Sequence, residues 1–373
     1  MKVATPTRVL LSLVAFMLFA APAAVRAQDA RSALTNFPES QAVLYINARR
    51  LINEAAPAVV PPEALNKALA EARQFIDLNG LEYVIAGARL KGDMSVKQMP
   101  EFLLIMRGNF SADALLSGAR MLTQDMHSQE TVGTRTLSLF TLNKPAPADG
   151  SGQPASKKFP IDQIAAVALD ANTIAVGIPA YLRDAIEESG GRPRLKPELV
   201  DLAMRDPNTL VSLVSDIPPG MSQHLPPMGA MGNAEMKRMI DAVRQVQLSV
   251  NMQPSIFGVQ SIIRMDDAEK ASTLSGLINI GVNFLKGEIQ KDLQKSSNSS
   301  KADQATALRV LETLTNAARG NEVELNLSFQ QAGLAEVIKR QFAPKKPQAT
   351  ALAPGANKGA AVKRRRAQPR RKR

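Results

Sequence analysis

The sequence predicts an α+β protein: two tandem, duplicated-looking units of mostly antiparallel sheet, with helices packed on one face, followed by a disordered basic C-terminal tail. Three observations predict it. Short β-branched apolar runs recur in a strand–helix–strand–strand–helix order. The two halves of the body look alike. The last thirty residues are rich in Pro, Ala, Gly and Gln and hold too few apolar groups to fold.

The elements follow in order. Gln41–Asn47 is apolar enough for a strand. Pro61-Pro62 opens a helix through about Leu78, with Leu65, Leu69, Ala72 and Ile76 on one face and Asn79-Gly80 as its stop. Leu81–Leu90 and Glu101–Arg107 are strands, and Ser111 is placed to cap a helix over Ala112–Leu122. Thr131–Leu142 alternates like a strand pair around Gly133, and residues 144–160 form a loop. Gln163–Leu169 and Thr173–Ile178 flank Asp170-Ala171-Asn172, a hairpin signal, and Pro179 fits the first turn of the next helix. The second half offers strands at Thr209–Val214, Gln247–Met252 and Phe257–Met265, and a helix at Glu235–Arg244. Asp266 or Asp267 caps a long helix with Leu274, Leu277, Ile278, Phe284, Leu285 and Ile289 on its apolar side. A polar connector (Lys295–Lys301), a helix over Ala302–Ala318, a strand over Asn321–Phe329 and a helix over Gln331–Arg340 close the body.

The likeness of the halves is local. Strand Phe102–Arg107 leads into a helix containing Leu116-Ser117-Gly118; strand Gly258–Arg264 leads into one containing Leu274-Ser275-Gly276. Gly133–Phe140 and Gly320–Phe329 would then be matching closing strands. The division is residues 1–27, 28–190, 191–343 and 344–373. The identities are few, so chance similarity competes with duplication, and the order does not decide between separate lobes and one continuous core.

Composition excludes much chemistry. Zero Cys removes disulfides, thiolate metal sites and Cys nucleophiles, and two His, His127 and His224, leave no His-rich zinc site. The formal charge of +12 is a property of the ends: residues 28–343 hold 32 basic and 34 acidic residues. The body therefore offers no charge argument for a nucleic-acid face. Residues 1–27 combine Lys2 and Arg8, an apolar Val9–Val25 run and Val25-Arg26-Ala27, the pattern of a secretory signal cleaved after Ala27. An uncut anchor is the alternative; both place the body outside the cytoplasm, periplasmic or secreted.

The segments AVLYINARRLINEAAP (42–57), LEYVIAGARLKG (81–92), FLLIMRGNFSADALL (102–116) and VALDANTIAVGIPAYLRDAI (167–186) resemble a family of uncharacterised exported bacterial proteins. The resemblance implies export and a repeated α+β body, and carries no functional residue.

No phosphate-loop, dinucleotide, Gly-x-Ser-x-Gly or His-Glu-x-x-His pattern is present, so no catalytic residue and no cofactor is indicated. His127 reads as a loop residue, and Asp266-Asp267 and Glu187-Glu188 as helix-end carboxylates. Tyr45 and Tyr83 read as core. Pro218–Met239 is rich in Met. Met228, Met231 and His224 are weak soft-metal candidates for Cu(I), against the plainer reading of an adaptable apolar loop that covers the core or an unidentified protein partner. The tail concentrates Lys363, Arg364, Arg365, Arg366, Arg370, Arg371, Lys372 and Arg373 in eleven residues. A flexible chain of thirty residues reaches about 30 Å. Near an anionic membrane each such cation contributes up to about 1 kcal/mol.

The expectation is an exported, non-enzymatic interaction or scaffold protein whose tail attaches to an anionic envelope surface. The rivals are an exported nucleic-acid binder using the same tail, with a steep salt dependence, a merely solvated tail, and an unrecognised enzyme or Met/His copper protein.

Overall fold

A computed structural model of the chain describes residues 27–70, 72–74, 76–90, 100–123, 126–143, 161–187, 194–224, 234–295, 304–305 and 308–342. The first unit contributes β1 (Ala42–Ile46), β2 (Leu81–Arg89), β3 (Glu101–Gly108), β4 (His127–Val132), β5 (Arg135–Thr141), β6 (Gln163–Asp170) and β7 (Thr173–Gly177). The second contributes β8 (Thr209–Asp216), β9 (Val243–Gln253), β10 (Ile256–Met265), β11 (Thr315–Arg319) and β12 (Glu322–Gln330). All twelve join one sheet in the order β11-β12-β10-β9-β8-β1-β2-β3-β7-β6-β5-β4. Every neighbouring pair is antiparallel. The seam is β1 against β8, with Leu44 opposite Leu213, so the units share a continuous sheet rather than forming separate lobes.

Outward from the seam, one unit runs β8, β9, β10, β12, β11 and the other β1, β2, β3, β7, β6, with the β4–β5 hairpin beyond. The strand orders correspond. The counterpart of β12 is therefore β7, not Gly133–Phe140, which lies in the additional hairpin. Local likeness around a Gly-led strand could not distinguish the two, because sheet position is set by pairing partners far away in sequence.

Helices lie against both faces, not one. Consecutive strand residues point to opposite sides. In β1, Val43 and Tyr45 pack with Leu34 of α1 (Ala27–Thr35), Tyr181 of α5 (Pro179–Ile186) and Leu199 of α6 (Pro197–Ala203). Ile46 instead joins Leu51 of the helical run from Ala48 to Val59 (α2) and Leu65 of α3 (Pro62–Leu69). On that second face also lie α4 (Ala112–Thr123), through Leu116 on Phe140 and Ile174, and α8 (Ala268–Lys295), through Ala271 near Met265 and Val323. α7 (Ala234–Ala242) and α9 (Gln331–Phe342) complete it. The cause is in the strands. AVLYI and YVIAGA leave no polar side to face water, so both faces need cover.

Several local signals act as expected. Ser111 Oγ accepts from the Ala114 N–H at 3.2 Å, and Asp267 Oδ1 from the Lys270 N–H at 2.8 Å, capping α4 and α8. Asp170 Oδ1 accepts from the Asn172 N–H at 2.8 Å in the β6–β7 turn, and Gly133 takes φ +59° between β4 and β5. Other boundaries differ. The helix from Pro62 ends at Leu69, followed by 3-10 turns at Ala72–Gln74 and Leu78–Gly80. His127 begins β4, half-buried with its ring 6.4 Å from that of Phe140, rather than lying in a loop. Of Ala302–Ala318, residues 308–312 are helical, but Thr315–Arg319 is strand β11. The second turn of α2, Leu51–Ala55, is a π turn, followed by Pro57, which cannot donate to the helix.

Two ties hold the layers. Gly87 of β2 lies beneath the buried Phe37 ring; a Cβ there would fall 2.2 Å from Phe37 Cε1 and 2.8 Å from Ser40 Oγ. Glu322 of β12 accepts from Arg205 Nη1 and Arg264 Nη2, both at 2.7 Å, linking the segment after α6 to β10 and β12. Burial alone would raise the Glu322 carboxyl, but these hydrogen bonds outweigh it and hold it below its ordinary 4.5.

Gly87→Ala is expected to lower stability by about 1–3 kcal/mol, read by thermal or urea unfolding. An unchanged midpoint would show that Phe37 is not packed as described. For Glu322, the folded carboxyl titrates below the unfolded one. Its contribution is therefore complete above the unfolded value of 4.5 and is lost as pH falls through the folded value. Glu322→Gln should cost about 1–3 kcal/mol at neutral pH, and less as pH falls below 4.5 through the folded value. A pH-independent loss would contradict the pairing.

Candidate functional site

The tail cations, Lys363 to Arg373, and Met228 and Met231 lie outside the described residues, as do residues 1–26 and the 144–160 loop. His224 ends a 3-10 turn, Met221–His224, and its side chain lies outside the description. That turn is clamped to α7. The Asp241 carboxylate accepts from Ser222 Oγ at 2.7 Å and from the Ser222 N–H at 3.1 Å, which lowers the Asp241 pKa. Met239 is buried against Met265 and Val323, so it serves the core. Among the described residues, no group of three or more His, Cys, Asp or Glu is arranged to hold a metal. Asp266 and Asp267 both meet Lys270 Nζ at 2.9 Å; hydrogen bonds from the Lys270 N–H and Nζ keep Asp267 below its ordinary pKa. Tyr45 and Tyr83 are buried, as expected, and burial pushes the Tyr45 hydroxyl up to about 12.

Large apolar side chains gather on the second face instead. α8 is a helix of 28 residues, about 42 Å long. From Ala271 to Leu285 it carries no charge. One side of its first turns packs on β10 and β12 through Ala271, Leu274 and Ile278. Its middle does not. Ile280 and Phe284, one turn apart, are each 68% exposed, and Leu285 is also exposed. Phe284 and Leu285, expected on the buried side, therefore face outward. Gly276, Gly281 and Gly287 would meet nothing with an added Cβ, so packing does not require them. Lys286, Lys291 and Lys295 follow toward the C-terminal end.

The same face carries two further exposed groups. Met121 and Leu122 end α4 at 76% and 75% exposure. At the seam, Leu44, Leu213 and Leu248 sit opposite one another across β1, β8 and β9, and the last two are exposed. Cross-strand register puts this row on the α4 and α8 side: Leu104 pairs with Ala86 and Ala86 with Leu44, while Met106, two residues on, packs against α4. Exposed apolar groups scattered over a surface need no explanation; Ile280 and Phe284, adjacent on one side of α8, form the compact pair among them. Ile280 falls outside the apolar side that the sequence assigns to this helix. The charge-free run itself was the available signal.

The opposite edge of the seam holds a polar cleft of 730 Å³ lined by Arg89, Lys196, Asp216 and Arg244. Its cations are engaged internally. Lys196 Nζ lies 2.5 Å from Asp216 and Arg244 Nη2 3.2 Å from Asp266. Arg89 bridges Glu101 at 2.7 Å and Asp184 at 2.6 Å, with its guanidinium 4.1 Å from the centre of the Tyr181 ring. Burial opposes the Arg89 charge, and the two carboxylates more than restore it. This cleft reads as a strut that ties β2 to α5 and β8 to the start of α6.

No protein-family model and no curated protein matches the sequence. Among solved structures, crystal form III of TP0453 is 11% identical, with a TM-score of 0.40, over 82% of this chain and 97% of that one. Crystal form IV of TP0453 is 10% identical, with a TM-score of 0.42, over 82% and 95%. Crystal form I of TP0453 is 11% identical, with a TM-score of 0.37, over 83% and 97%.

Proposed function

We propose that this chain is an exported, non-enzymatic interaction protein held to an anionic envelope surface, with the basic tail supplying electrostatic attachment and the exposed middle of α8 supplying apolar contact. The observation that carries this reading is the pair Ile280 and Phe284, two large side chains left in water on a charge-free helical stretch. Water contact of this kind is unfavourable by roughly 25 cal/mol per Å² of apolar surface, and a lipid interface relieves it. Eight tail cations at even half of about 1 kcal/mol each supply several kcal/mol more, and that part is screened by salt. Among the described residues no helix is long and apolar enough to cross a membrane.

The two contributions separate experimentally. Full-length protein beginning at residue 28 is sedimented with vesicles of mixed anionic and neutral phospholipid across a salt series, with duplex DNA as competitor. Replacing the eight tail cations by Gln should abolish the salt-dependent part of binding. Ile280→Ser with Phe284→Ser should weaken the salt-resistant part at least tenfold, while leaving stability within about 0.5 kcal/mol because both side chains are exposed. Binding unchanged by either set overturns the reading. Displacement by DNA at matched charge and salt would favour a nucleic-acid partner for the tail.

A further inference from the structure

The first face of the sheet holds a second pocket, of 590 Å³, between α1, α5 and strands β2, β3 and β7. Its walls carry three guanidiniums, Arg107, Arg135 and Arg194, against one carboxylate, Asp170. The three come from distant parts of the chain, and each is fixed by the fold. Arg107 lies 3.4 Å from Glu82 and 3.6 Å from Asp170. Arg135 Nη1 donates to the Ala168 carbonyl at 3.1 Å and to that of Leu169. Arg194 Nη1 donates to the Asn36 carbonyl at 3.0 Å, beside the bridge that pairs Pro38 with Arg194. Among these five described groups, with Glu82 included, the positive charges outnumber the negative by one.

A second observation points to an occupant. Arg107 is paired directly with Thr173 across β3 and β7. Thr173 lines the pocket, is only 4% exposed, and its Oγ1 is buried with no hydrogen-bond partner. Native proteins satisfy nearly all such groups, with protein, water or ligand. Here the unsatisfied hydroxyl stands next to a guanidinium in a pocket within the size range of small-molecule sites. Ile105, Leu169 and Ile186 add apolar surface to a lining that also holds Ser32, Asn36 and Tyr83.

We propose that this pocket binds a small amphiphilic oxyanion. Its phosphate or carboxylate group lies among Arg107, Arg135 and Arg194 and accepts from the Thr173 hydroxyl. Its apolar body rests on Ile105, Leu169 and Ile186. Guanidinium forks match the paired oxygens of both headgroups, and Ile105, Leu169 and Ile186 favour a ligand with an apolar part over a bare inorganic ion. The site lies on the face opposite α8.

The test is isothermal titration of full-length protein with hexyl phosphate, hexanoate, inorganic phosphate and hexanol. Saturable binding of hexyl phosphate or hexanoate, at least tenfold tighter than of inorganic phosphate or hexanol, is expected. Arg194→Gln and Thr173→Val should each weaken it about tenfold or more, and Thr173→Ser, which keeps the hydroxyl, should retain it. Thermal melting provides a control for folding: Thr173→Val should melt at or above the wild-type temperature without ligand, yet lose the ligand-induced rise. Absence of saturable binding overturns the proposal. So does equal affinity for inorganic phosphate and hexyl phosphate, or binding indifferent to all three variants. The vesicle assay then separates two sources of the same headgroup. Weaker attachment of Thr173→Val to vesicles identifies a lipid, and unchanged attachment a diffusible anion.

Discussion

The antiparallel pairing of β1 with β8 is the constraint on which the remaining architecture depends. Each is the innermost strand of its unit, and each is only five to eight residues long. Once they are joined, the other ten strands extend outward in corresponding order, and neither unit has an inner edge exposed to water. The seam is reinforced above the sheet. α1, which precedes β1, contacts α6, which precedes β8, and Arg31 pairs with Asp201 across them. This exposed ion pair contributes little by itself. The apolar contact beneath it, Leu34 and Leu199 over Val43 and Val214, supplies the adhesion.

With both faces covered, the sheet separates two chemistries. One face is occupied by short helices and arginine-lined space. The other is occupied by longer helices whose ends and middle present apolar groups to water. Side chains one residue apart in β3 serve different sides: Ile105 and Arg107 line the oxyanion pocket, while Met106 supports α4. The period-two alternation of the strand is what allows one sheet to carry two unrelated surfaces.

The sequence made the strands legible wherever local chemistry was decisive. The Asp170–Asn172 turn, the Ser111 cap and the Asp267 cap act through contacts within three residues; the sequence placed the first two and narrowed the third to Asp266 or Asp267. What escaped it depends on distance along the chain. Thr315–Arg319 carries no strand propensity of its own; it is a strand because β12 pairs with it. α1, α2 and α6 are short and gain stability from packing rather than periodicity. The likeness of the halves was visible around Leu116-Ser117-Gly118 and Leu274-Ser275-Gly276, which fall in the corresponding helices α4 and α8. The functional surfaces were less legible still. Arg107, Arg135 and Arg194 have no spacing that would group them, and the exposure of Phe284 depends on how α8 is packed, which its own sequence does not state.

α9 is the last described helix and packs on α2, near the start of the chain; Gln331 Nε2 donates to the Ala58 carbonyl at 3.3 Å, across 273 residues. Leu334 and Ile338 cover the same apolar cluster as Leu51 and Leu65. The first unit therefore cannot finish burying that cluster until nearly the whole chain is available, and β1 waits equally for β8. Contacts this remote are slow to form, because the entropy of closing the intervening chain is lost before they reward it. Until α9 is in place, that apolar cluster stays incompletely covered.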